Sequence, residues 1–395
     1  MTAAHPRPPV VVSLIVNAGS EEGHPIPYNQ AVGDAARQLG WDHLAAYPAT
    51  CHLSQVPPGW QPALHRITYS TGGGSLLGQR SGLPQWGSVW RAAQSIRAYL
   101  RANVLPREQP VILFIEFFIF AHLLALVLAL LGLPRQRLSV WLLYRLDIHK
   151  QPTRRLYRVL NDLIAWLVRG RLTLLTDSAL LARPLHTLFA RPVQIVPIPH
   201  TQLSGPAHRP GHPTGPTGEA LLLAWWPGAV RGDKGIDQLR ALARQAAPAA
   251  QRVCLAATEA AQLAAVPGGC QVRLLPGGMP RADYLGWLQA ADLILLPYDA
   301  SSYAERTSGI FVEAIAAGRA APVTPGTWMA HEAIANGLPE LVIDWRAGNV
   351  WDNLVRLAED TSVQSRLAAM ASRYQAYHSV NSFSAWMAQQ WQAEA

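Results

Sequence analysis

Residues Leu295 to Gly318 read LLPYDASSYAERTSGIFVEAIAAG. An apolar run ends at Pro297, a polar loop follows, and a run with helical periodicity begins near Ser308 and Gly309. This order predicts a buried strand, a loop and a helix, which is the unit from which parallel sheets covered by helices are built. The free backbone N–H groups at the start of such a helix suit a phosphate group.

Strand-like apolar runs alternate with helical runs through the rest of the chain. In the N-terminal half, the predicted strands are Val10–Val16, Val111–Ile115, Ser139–Leu143 and Leu172–Leu175. In the C-terminal half, they are Ala220–Trp225, Arg252–Ala256, Gln271–Leu274, Leu293–Leu296, Ala321–Thr324 and Leu341–Ile343. The strands of each half are expected to form one parallel sheet.

The predicted helices lie between these strands. In the N-terminal half, they are Asn29–Leu39, Ser88–Arg101, Ile119–Leu131, Thr153–Val168 and Ser178–Leu188. In the C-terminal half, they are Gly235–Arg244, Arg281–Ala290, Gly309–Ala317, Met329–Asn336, Val350–Leu357 and the Trp-rich segment Ser382–Glu394. The pattern predicts an α/β fold of two Rossmann-like, doubly wound domains facing a cleft, with ligands at the carboxyl ends of the strands.

A segment dense in proline and glycine separates the two halves. Residues 204–218 read SGPAHRPGHPTGPTG, a composition that predicts a linker. The expected organisation is therefore a domain over 1–203, the linker 204–218 and a second domain over 219–380. A C-terminal helix over 381–395 could cross back to the first domain. The length of 395 residues also favours two domains.

The segment Val111–Leu133 is apolar enough to resemble a membrane span. It follows Pro110 and contains Glu116 and His122, so we interpret it as a buried strand followed by a helix. A second segment, Arg154–Arg171, carries basic residues at both ends of an apolar middle. It suits either an ordinary core helix or a helix resting on an anionic membrane surface, and both interpretations stay open.

Composition excludes several classes of protein. The formal net charge is +8 and 15% of the residues are charged, yet no Lys/Arg-rich tail or basic stretch interleaved with aromatic residues appears. A nucleic-acid ligand is therefore not expected. Three widely spaced cysteines imply neither a disulfide framework nor a zinc site. The first residues show no signal-peptide pattern, which favours a cytoplasmic protein.

Two carboxylates flank the turn at the start of the predicted helix. Glu305 and Glu313 are separated by seven residues, and Glu313 lies about one turn into the helix. A carboxylate in that position is well placed to accept both hydroxyls of a ribose. The alternative is that Glu305 is a solvated loop residue and Glu313 a partner of the helix dipole.

The pair resembles the Glu-x7-Glu signature of retaining glycosyltransferases of the GT-B fold, family 4 type. The sequence from Glu313 to Gly318 and the preceding LQAADLILLPY, residues 288–298, carry the resemblance. It implies that Glu313 binds the donor ribose and that Glu305 lies near the transferred sugar. The implied donor-binding positions here are Tyr298, Arg306, Thr307, Ser308, Gly309 and Ile310, with the last three amides cradling the diphosphate. The family has a small, Gly-rich sequence where this chain has Arg306, so Arg306 either pairs with a phosphate or displaces Glu305.

A second motif, WPGAVRGDKG, lies at Trp226–Gly235. Lys234 and Arg231 fall near the start of the next helix, where their charge could clamp a pyrophosphate. Gly228 lies in the same loop. The resemblance implies a Gly-Arg before the Lys-Gly, but Ala229 occupies the Arg position and Arg231 follows two residues later. The alternative is an exposed basic loop.

The N-terminal half is expected to bind the acceptor. In the family, the loop after the first strand contacts sugar and acceptor, which implies roles here for Gly19, Gly23 and His24. His24 is a candidate polar contact or weak base. The rule for strand ends adds a second set of candidates, formed by Glu116, Arg145 and Asp147.

Glu116 is a candidate catalytic residue, whereas Arg145 and Asp147 are candidate acceptor contacts. An alternative for Glu116 is a helix N-cap or a buried partner of Arg145. Asp177-Ser178 follows the fourth predicted strand and has the residue types of a helix N-cap.

The expected activity is transfer of a sugar, with retention, from a nucleotide sugar to a glycan or lipid-linked acceptor. No Asp-x-Asp pair follows a strand, so a cation clamp is expected in place of a metal, and no cofactor is expected. Three alternatives stay open. They are a non-catalytic binding subunit of this fold, a sugar-nucleotide epimerase of this fold, and a two-lobed solute-binding protein, which would need an export signal.

Overall fold

The computed structural model describes residues 7–19, 24–68, 85–116, 118–134, 137–201 and 208–394. The chain divides into two compact units. Unit 1 comprises Met1–His200 together with His378–Ala395, and unit 2 comprises Thr201–Tyr377. The first segment of unit 1 ends at His200, three residues before the domain end at 203 that the sequence predicts. Its second segment begins at His378, three residues before the predicted start of the C-terminal helix at 381.

Unit 1 is built on a parallel sheet of seven strands. They are β1 (Val10–Leu14), β2 (Asp42–Pro48), β3 (Trp60–Leu64), β4 (Val111–Glu116), β5 (Leu138–Tyr144), β6 (Leu172–Thr176) and β7 (Val193–Ile195). The strand order is β3-β2-β1-β4-β5-β6-β7, so the order reverses between β1 and β4. Reversal points of this kind are where doubly wound sheets bind ligands.

Helices cover both faces of this sheet. They are α1 (Pro25–Gln38), α2 (Trp86–Tyr99), α3 (Phe120–Leu130), α4 (Arg154–Leu167), α5 (Ala179–Phe189) and the C-terminal α13 (Val380–Glu394). Helices α2 to α5 share one apolar core with the sheet, whereas α1 and α13 pack against each other. Because both faces are covered, the central strands are apolar at nearly every position, which explains their strand-like runs.

The apolar segment after Pro110 is a strand and a helix, as interpreted from the sequence. Residues Val111–Glu116 form the fully buried β4, and Phe120–Leu130 form α3, which packs between α2 and α4. No helix in the described parts of the chain is both long and apolar enough to cross a membrane.

The C-terminal helix α13 packs on the sheet of unit 1. Trp386 lies edge-on to Trp141 of β5, with ring centroids 5.0 Å apart. Glu394 accepts hydrogen bonds of 2.7 Å from the Trp141 indole N–H and from the Thr173 hydroxyl. The helix buries Phe383 and Met387, whereas Trp386 and Trp391 are partly exposed at the edge of this packing.

Unit 2 is built on a smaller parallel sheet. Its strands are β8 (Leu222–Trp226), β9 (Val253–Thr258), β10 (Gln271–Leu275) and β11 (Leu293–Ile294), in the order β10-β9-β8-β11. Single bridges extend the sheet from Leu293 to Ala320, from Leu296 to Val323 and from Val323 to Val342. The strands predicted at 321–324 and 341–343 are therefore present only as isolated bridges.

Seven helices cover this sheet within the described residues. They are α6 (Ile236–Ala243), α7 (Arg281–Ala290), α8 (Ala300–Tyr303), α9 (Gly309–Ala316), α10 (Trp328–Ala335), α11 (Val350–Glu359) and α12 (Thr361–Tyr377). Helix α12 is absent from the sequence-based prediction, although its buried residues recur at helical spacing. The strands β2 and β3 are also absent from it, since Asp, His, Pro and Ala weaken their strand-like pattern.

The described part of the expected linker belongs to unit 2 and contacts its helix α7. His208 lies 2.9 Å from Asp283, and Arg209 donates a hydrogen bond to Gln289. Thr214 forms an antiparallel bridge with Ala220. Residues 208–218 therefore have little regular structure but follow the surface of unit 2.

Candidate functional site

Helix α9 begins where the sequence predicted a helix N-terminus. Ser308 is the N-cap, and its hydroxyl accepts a hydrogen bond of 3.3 Å from the backbone N–H of Phe311. Thr307 and Ser308 are buried, whereas Gly309 and Ile310 are partly exposed at the first turn. The first amides of the helix therefore lie at the surface of unit 2, where an anion can reach them.

Lysine and arginine side chains gather on two tyrosine rings beside this N-terminus. The ammonium of Lys234 lies 3.9 Å from the ring centroid of Tyr298 and 4.9 Å from that of Tyr303. The guanidinium of Arg306 lies 4.5 Å from the Tyr303 ring centroid. We call Lys234, Arg306, Tyr298 and Tyr303 the cation–tyrosine cluster. The ring faces attract both cations and hold them close together.

Arg231 belongs to the edge of this cluster. Its guanidinium makes two hydrogen bonds of 2.9 Å to the carboxylate of Asp233. Burial raises the pKa of the Tyr303 hydroxyl, while the charges of Arg306 and Arg231 oppose that rise. Arg231, Lys234 and Arg306, the three cations predicted to contact a diphosphate, therefore all interact electrostatically with Tyr303. Arg231 is also paired with the carboxylate of Asp233.

Two glycines allow the Lys234 loop to approach the strand ends. Gly235 has φ +77°, and a Cβ there would lie 1.9 Å from the carbonyl oxygen of Pro297. A Cβ on Gly228 would lie 2.5 Å from the Trp226 ring. Glycine is therefore required at 235 on both conformational and steric grounds, and its close approach to Pro297 brings Lys234 over Tyr298.

Glu313 lies on α9 and is buried. One carboxylate oxygen accepts a hydrogen bond of 2.6 Å from Arg281, and the other accepts one of 2.6 Å from the Tyr284 hydroxyl. Both partners lie on α7, three residues apart. Each carboxylate oxygen retains a second lone pair, so these contacts orient Glu313 without using its full acceptor capacity.

Glu305 lies in the loop between α8 and α9. The residue is partly exposed, and one of its carboxylate oxygens, Oε2, is shielded from solvent. Its neighbour Arg306 is stacked on Tyr303. The structure therefore places Arg306 in the cation–tyrosine cluster, while the role of Glu305 near a transferred sugar stays a prediction.

Unit 1 carries a second polar cluster at the carboxyl ends of three adjacent strands. Glu116 ends β4, Arg145 follows β5, and Asp177 follows β6. Because the strands are parallel neighbours, their ends place these side chains together. Arg145 lies 3.5 Å from Glu116 and 2.6 Å from Asp177, and all three are buried. We call these residues the strand-end triad.

Residues from the start of α1 complete this arrangement. His24 lies 3.6 Å from Glu116, and Asn29 donates a hydrogen bond of 3.4 Å to it. The guanidinium of Arg145 lies 5.4 Å from the centroid of the Tyr28 ring. His24 is the most exposed of these groups, with 29% of its side chain accessible, so it is the one that a ligand can contact.

The pKa of Glu116 is raised to about 7. Burial is the largest cause, Arg145 opposes it, and the negative charge of Asp177 adds to it. A carboxyl group with this pKa exchanges its proton near neutral pH. That property suits a group involved in proton transfer.

The raised pKa predicts a pH-dependent loss of stability that the Glu116→Gln variant should lack. A carboxyl whose pKa is higher in the folded state stabilises the fold below its unfolded pKa and loses that contribution as pH rises through the folded pKa. Between about pH 4.5 and pH 7, wild type should lose about 3 kcal/mol of unfolding free energy relative to Glu116→Gln. Urea unfolding of both proteins at pH 5 and pH 8 measures this difference.

Glu108 provides the matched control for this experiment. Its carboxylate is exposed, and its pKa is lowered by the hydrogen bond and charge of Arg7. Glu116→Gln is expected to gain unfolding free energy relative to wild type at high pH, and Glu108→Gln should therefore show no such gain. Equal pH profiles of wild type and Glu116→Gln would contradict the raised pKa.

The remaining candidate acceptor contacts differ in accessibility. Gly19 is exposed, and a Cβ built on it would lie 3.2 Å from the Arg66 guanidinium. Gly23 lies outside the described residues. Asp147 is buried, 3.9 Å from Lys150. Arg145 is enclosed between Glu116 and Asp177, so its predicted contact with an acceptor would require access to a buried guanidinium.

Several residues of these clusters were not predicted from the sequence. Asp177 was interpreted only as part of a helix cap, and its neighbour Ser178 does cap α5 by accepting a hydrogen bond from Leu181. No functional role was predicted from the sequence for Tyr303, Arg281 or Tyr284. Their spacing marks them as helix or loop residues, and only the fold brings them to Lys234 and Glu313.

No cluster of three or more His, Cys, Asp or Glu side chains suited to a metal ion occurs among the described residues. The positive charges of Arg231, Lys234 and Arg306 act on Tyr303, which precedes the α9 N-cap by five residues. What this arrangement can do chemically is hold a multiply charged anion against backbone amides.

No protein-family model and no curated protein matches this chain. Solved structures do match it over nearly its whole length. Sucrose-phosphate synthase from Thermosynechococcus elongatus superposes with a TM-score of 0.60 at 13% identity, over 98% of this chain and 99% of that one. A structure of trehalose-6-phosphate from E. coli bound with UDP-2-fluoro glucose gives 0.60 at 12%, over 96% and 98%.

AviGT4, a glycosyltransferase involved in avilamycin A biosynthesis, gives a TM-score of 0.53 at 14% identity, over 98% of this chain and 99% of that one. At these identities the likeness establishes the fold. The chain has the GT-B fold of two Rossmann-like α/β domains, as its sequence predicted.

Proposed function

We propose that this chain, which has the GT-B fold, is a glycosyltransferase that takes a sugar from a nucleoside-diphosphate sugar. The observation that carries the proposal is the cation–tyrosine cluster beside the N-terminus of α9. Fold alone does not imply function, whereas the charges and amides of this site match the chemistry of a diphosphate.

The diphosphate of the donor would bind between the cluster and the α9 amides. The amides of Ser308, Gly309 and Ile310 would donate hydrogen bonds to it, and Lys234 and Arg306 would neutralise its charge. As the bond to the sugar breaks, negative charge grows on the leaving diphosphate. Cations already held in place stabilise that charge without further reorganisation. We propose that this clamp acts in place of a metal ion.

Glu313 would bind the ribose of the donor. Arg281 and Tyr284 already orient its carboxylate, and both carboxylate oxygens retain a lone pair for a hydroxyl. The side chain of Arg281 is 39% exposed, so it can yield part of its contact to a ligand. Glu305 would lie nearer the transferred sugar.

Unit 1 would bind the acceptor, a glycan or a lipid-linked sugar. His24 is accessible and lies 3.6 Å from Glu116, whose raised pKa of about 7 suits proton exchange near neutral pH. Gly19, Gly23, Arg145 and Asp147 are the further acceptor positions proposed from the sequence. The acceptor hydroxyl would attack from the face of the leaving group, a phosphate oxygen would take its proton, and configuration would be retained.

The test is a thermal-shift screen of the full chain against UDP, GDP, ADP and their sugars. A ligand that binds only the folded protein raises the melting temperature by mass action, so a donor of the correct base should give a clear shift. Glu313→Gln should reduce the shift from the ribonucleotide more than the shift from its 2′-deoxy analogue. Glu340→Gln, on the surface of unit 2, is the control.

The outcomes separate the proposal from its rivals. A shift accompanied by release of free nucleoside diphosphate in the presence of glycan or lipid-linked acceptors supports transfer. A shift with no transfer, but with conversion of the sugar nucleotide to an isomer, would favour an epimerase. No shift with any nucleotide, in a protein that melts cooperatively, would favour a non-catalytic subunit.

A further inference from the structure

Helix α4 has one face in the core and a second apolar group on its outer surface. The core face packs under the sheet of unit 1 through Tyr157, Leu160, Ile164 and Leu167, all buried. An ordinary surface helix carries polar residues on the opposite side. On α4, large apolar side chains also occupy the strip of exposed surface that adjoins the core face, and the polar residues begin only beyond it.

These outer residues are Leu156, Val159, Leu163 and Trp166, whose relative exposures are 48%, 54%, 42% and 61%. At about 100° per residue they fall within roughly a quarter of the helix circumference. We call this set the α4 outer face. A continuous apolar row on a helix surface marks an interaction site, whereas single exposed apolar residues do not.

Positive charge lies beside this row, on the side away from the core. Between Ile148 and Arg171 the sequence has six basic residues and one acidic residue, Asp162. Asp162 pairs with Arg191 at 3.1 Å, so its charge is locally compensated by a further arginine. Arg154, Arg155 and Arg158 are exposed on the same helix as the apolar row.

The neighbouring helix α2 shows the same chemistry. Helix α3 packs between α2 and α4, so all three belong to one layer on one face of the sheet. On α2, Trp86 and Trp90 are exposed one turn apart, at 68% and 50%, and Arg91 follows them. Between Trp86 and Arg107 the sequence has no acidic residue.

We propose that the α4 outer face, with Arg155 and Arg158 beside it, binds the surface of an anionic lipid bilayer. Tryptophan and leucine insert at the boundary between headgroups and acyl chains, while arginine stems lie along that boundary with their charges at the phosphates. A protein partner would have to offer an acidic rim around an apolar groove. An anionic bilayer presents both features at every position, and it complements the charge of α2 as well as that of α4.

Flotation of the full chain with vesicles tests this proposal. The protein should float with vesicles of phosphatidylcholine containing 30% phosphatidylglycerol at about 0.1 M salt and dissociate at about 0.5 M, because salt screens the attraction. Binding to pure phosphatidylcholine should be weaker by on the order of tenfold or more. Soluble inorganic phosphate at millimolar concentration should not release the protein, which distinguishes a lipid surface from a phosphate site.

Paired variants assign the binding to α4. Leu163→Glu with Trp166→Glu removes the apolar contact, and Arg155→Ala with Arg158→Ala removes charge worth about tenfold or more in vesicle affinity. Ile334→Glu and Arg346→Glu, both exposed on unit 2, are the matched controls. All of these side chains are at the surface, so melting temperatures should stay close to that of wild type.

The proposal is overturned if wild type does not float with anionic vesicles, or if the control variants lose binding as much as the α4 variants. It is also overturned if Trp166→Glu converts a dimer to a monomer in light scattering while vesicle binding is absent, because the face would then serve self-association. The experiment uses no nucleotide, so its result is independent of the proposed donor site.

Discussion

Replacing Lys234 with methionine should weaken the binding of a nucleoside diphosphate by about 10- to 100-fold. A charged hydrogen bond to phosphate contributes about 1.5–3 kcal/mol, and each 1.4 kcal/mol corresponds to about tenfold in affinity. Methionine is unbranched and similar in length, so it should keep the packing against Tyr298 while removing the charge. Isothermal calorimetry with the nucleotide selected in the thermal-shift screen measures the loss.

The sequence provides the control, because it contains only two lysines, Lys150 and Lys234. Lys150→Met, in unit 1, should bind the nucleotide as wild type does. The corresponding nucleoside, which has no phosphate, should lose little affinity in Lys234→Met. Equal losses for nucleoside and nucleoside diphosphate would contradict a phosphate contact and point to a disturbed loop.

Chemical modification provides a second measurement of the same contact. If Lys234 holds the diphosphate, bound nucleotide should slow its acetylation several-fold while leaving that of Lys150 unchanged. With only two lysines in the chain, mass spectrometry can follow both. Protection of neither lysine at saturating nucleotide would place the ligand elsewhere.

Replacing Gly235 with alanine should destabilise unit 2 by about 3 kcal/mol or more. The residue has φ +77°, which costs a side chain roughly 1–2 kcal/mol, and its Cβ would lie 1.9 Å from the carbonyl oxygen of Pro297. Relief of that overlap requires backbone movement, which costs about 1–3 kcal/mol more. Because the movement separates the Lys234 loop from the end of the sheet, Gly235→Ala should lose nucleotide binding as well as stability.

Gly232→Ala is the matched control in the same loop. No atom lies within 4 Å of a Cβ built there, and its φ is not positive. This variant should melt within a few degrees of wild type and bind nucleotide normally. If Gly235→Ala were as stable as Gly232→Ala, the close approach to Pro297 would not be required for the fold.

The helix N-terminus and the nearby cations of the proposed donor site were largely predictable from local sequence. The order of strand, loop and helix around Ser308, together with Lys234-Gly235 before a second helix, placed cations near a helix N-terminus. These features depend on residues close in sequence, since capping and backbone conformation act over a few positions. The tyrosines that receive the cations were not predictable, because Lys234 and Tyr303 meet only through the packing of two separate loops.

The polar cluster of unit 1 was predictable in location but not in composition. Strand-end rules placed Glu116 and Arg145 at one edge of the sheet. The pairing of Arg145 with Asp177 required the neighbour relation of β5 and β6, which sequence spacing does not reveal. The raised pKa of Glu116 depends on burial by the whole unit, and burial is a property of the assembled fold.

The sequence by itself determined the α/β class, the two doubly wound domains and the loops that carry charge, because periodicity and turn chemistry are local. The tertiary structure decided which side chains meet: Glu313 with Arg281, Lys234 with Tyr298, and Arg145 with Asp177. It also decided that part of the apolar surface of α4 stays exposed to solvent beside the part that packs in the core. Contacts between distant segments arise only when sheets and helices pack, so no local pattern contains them.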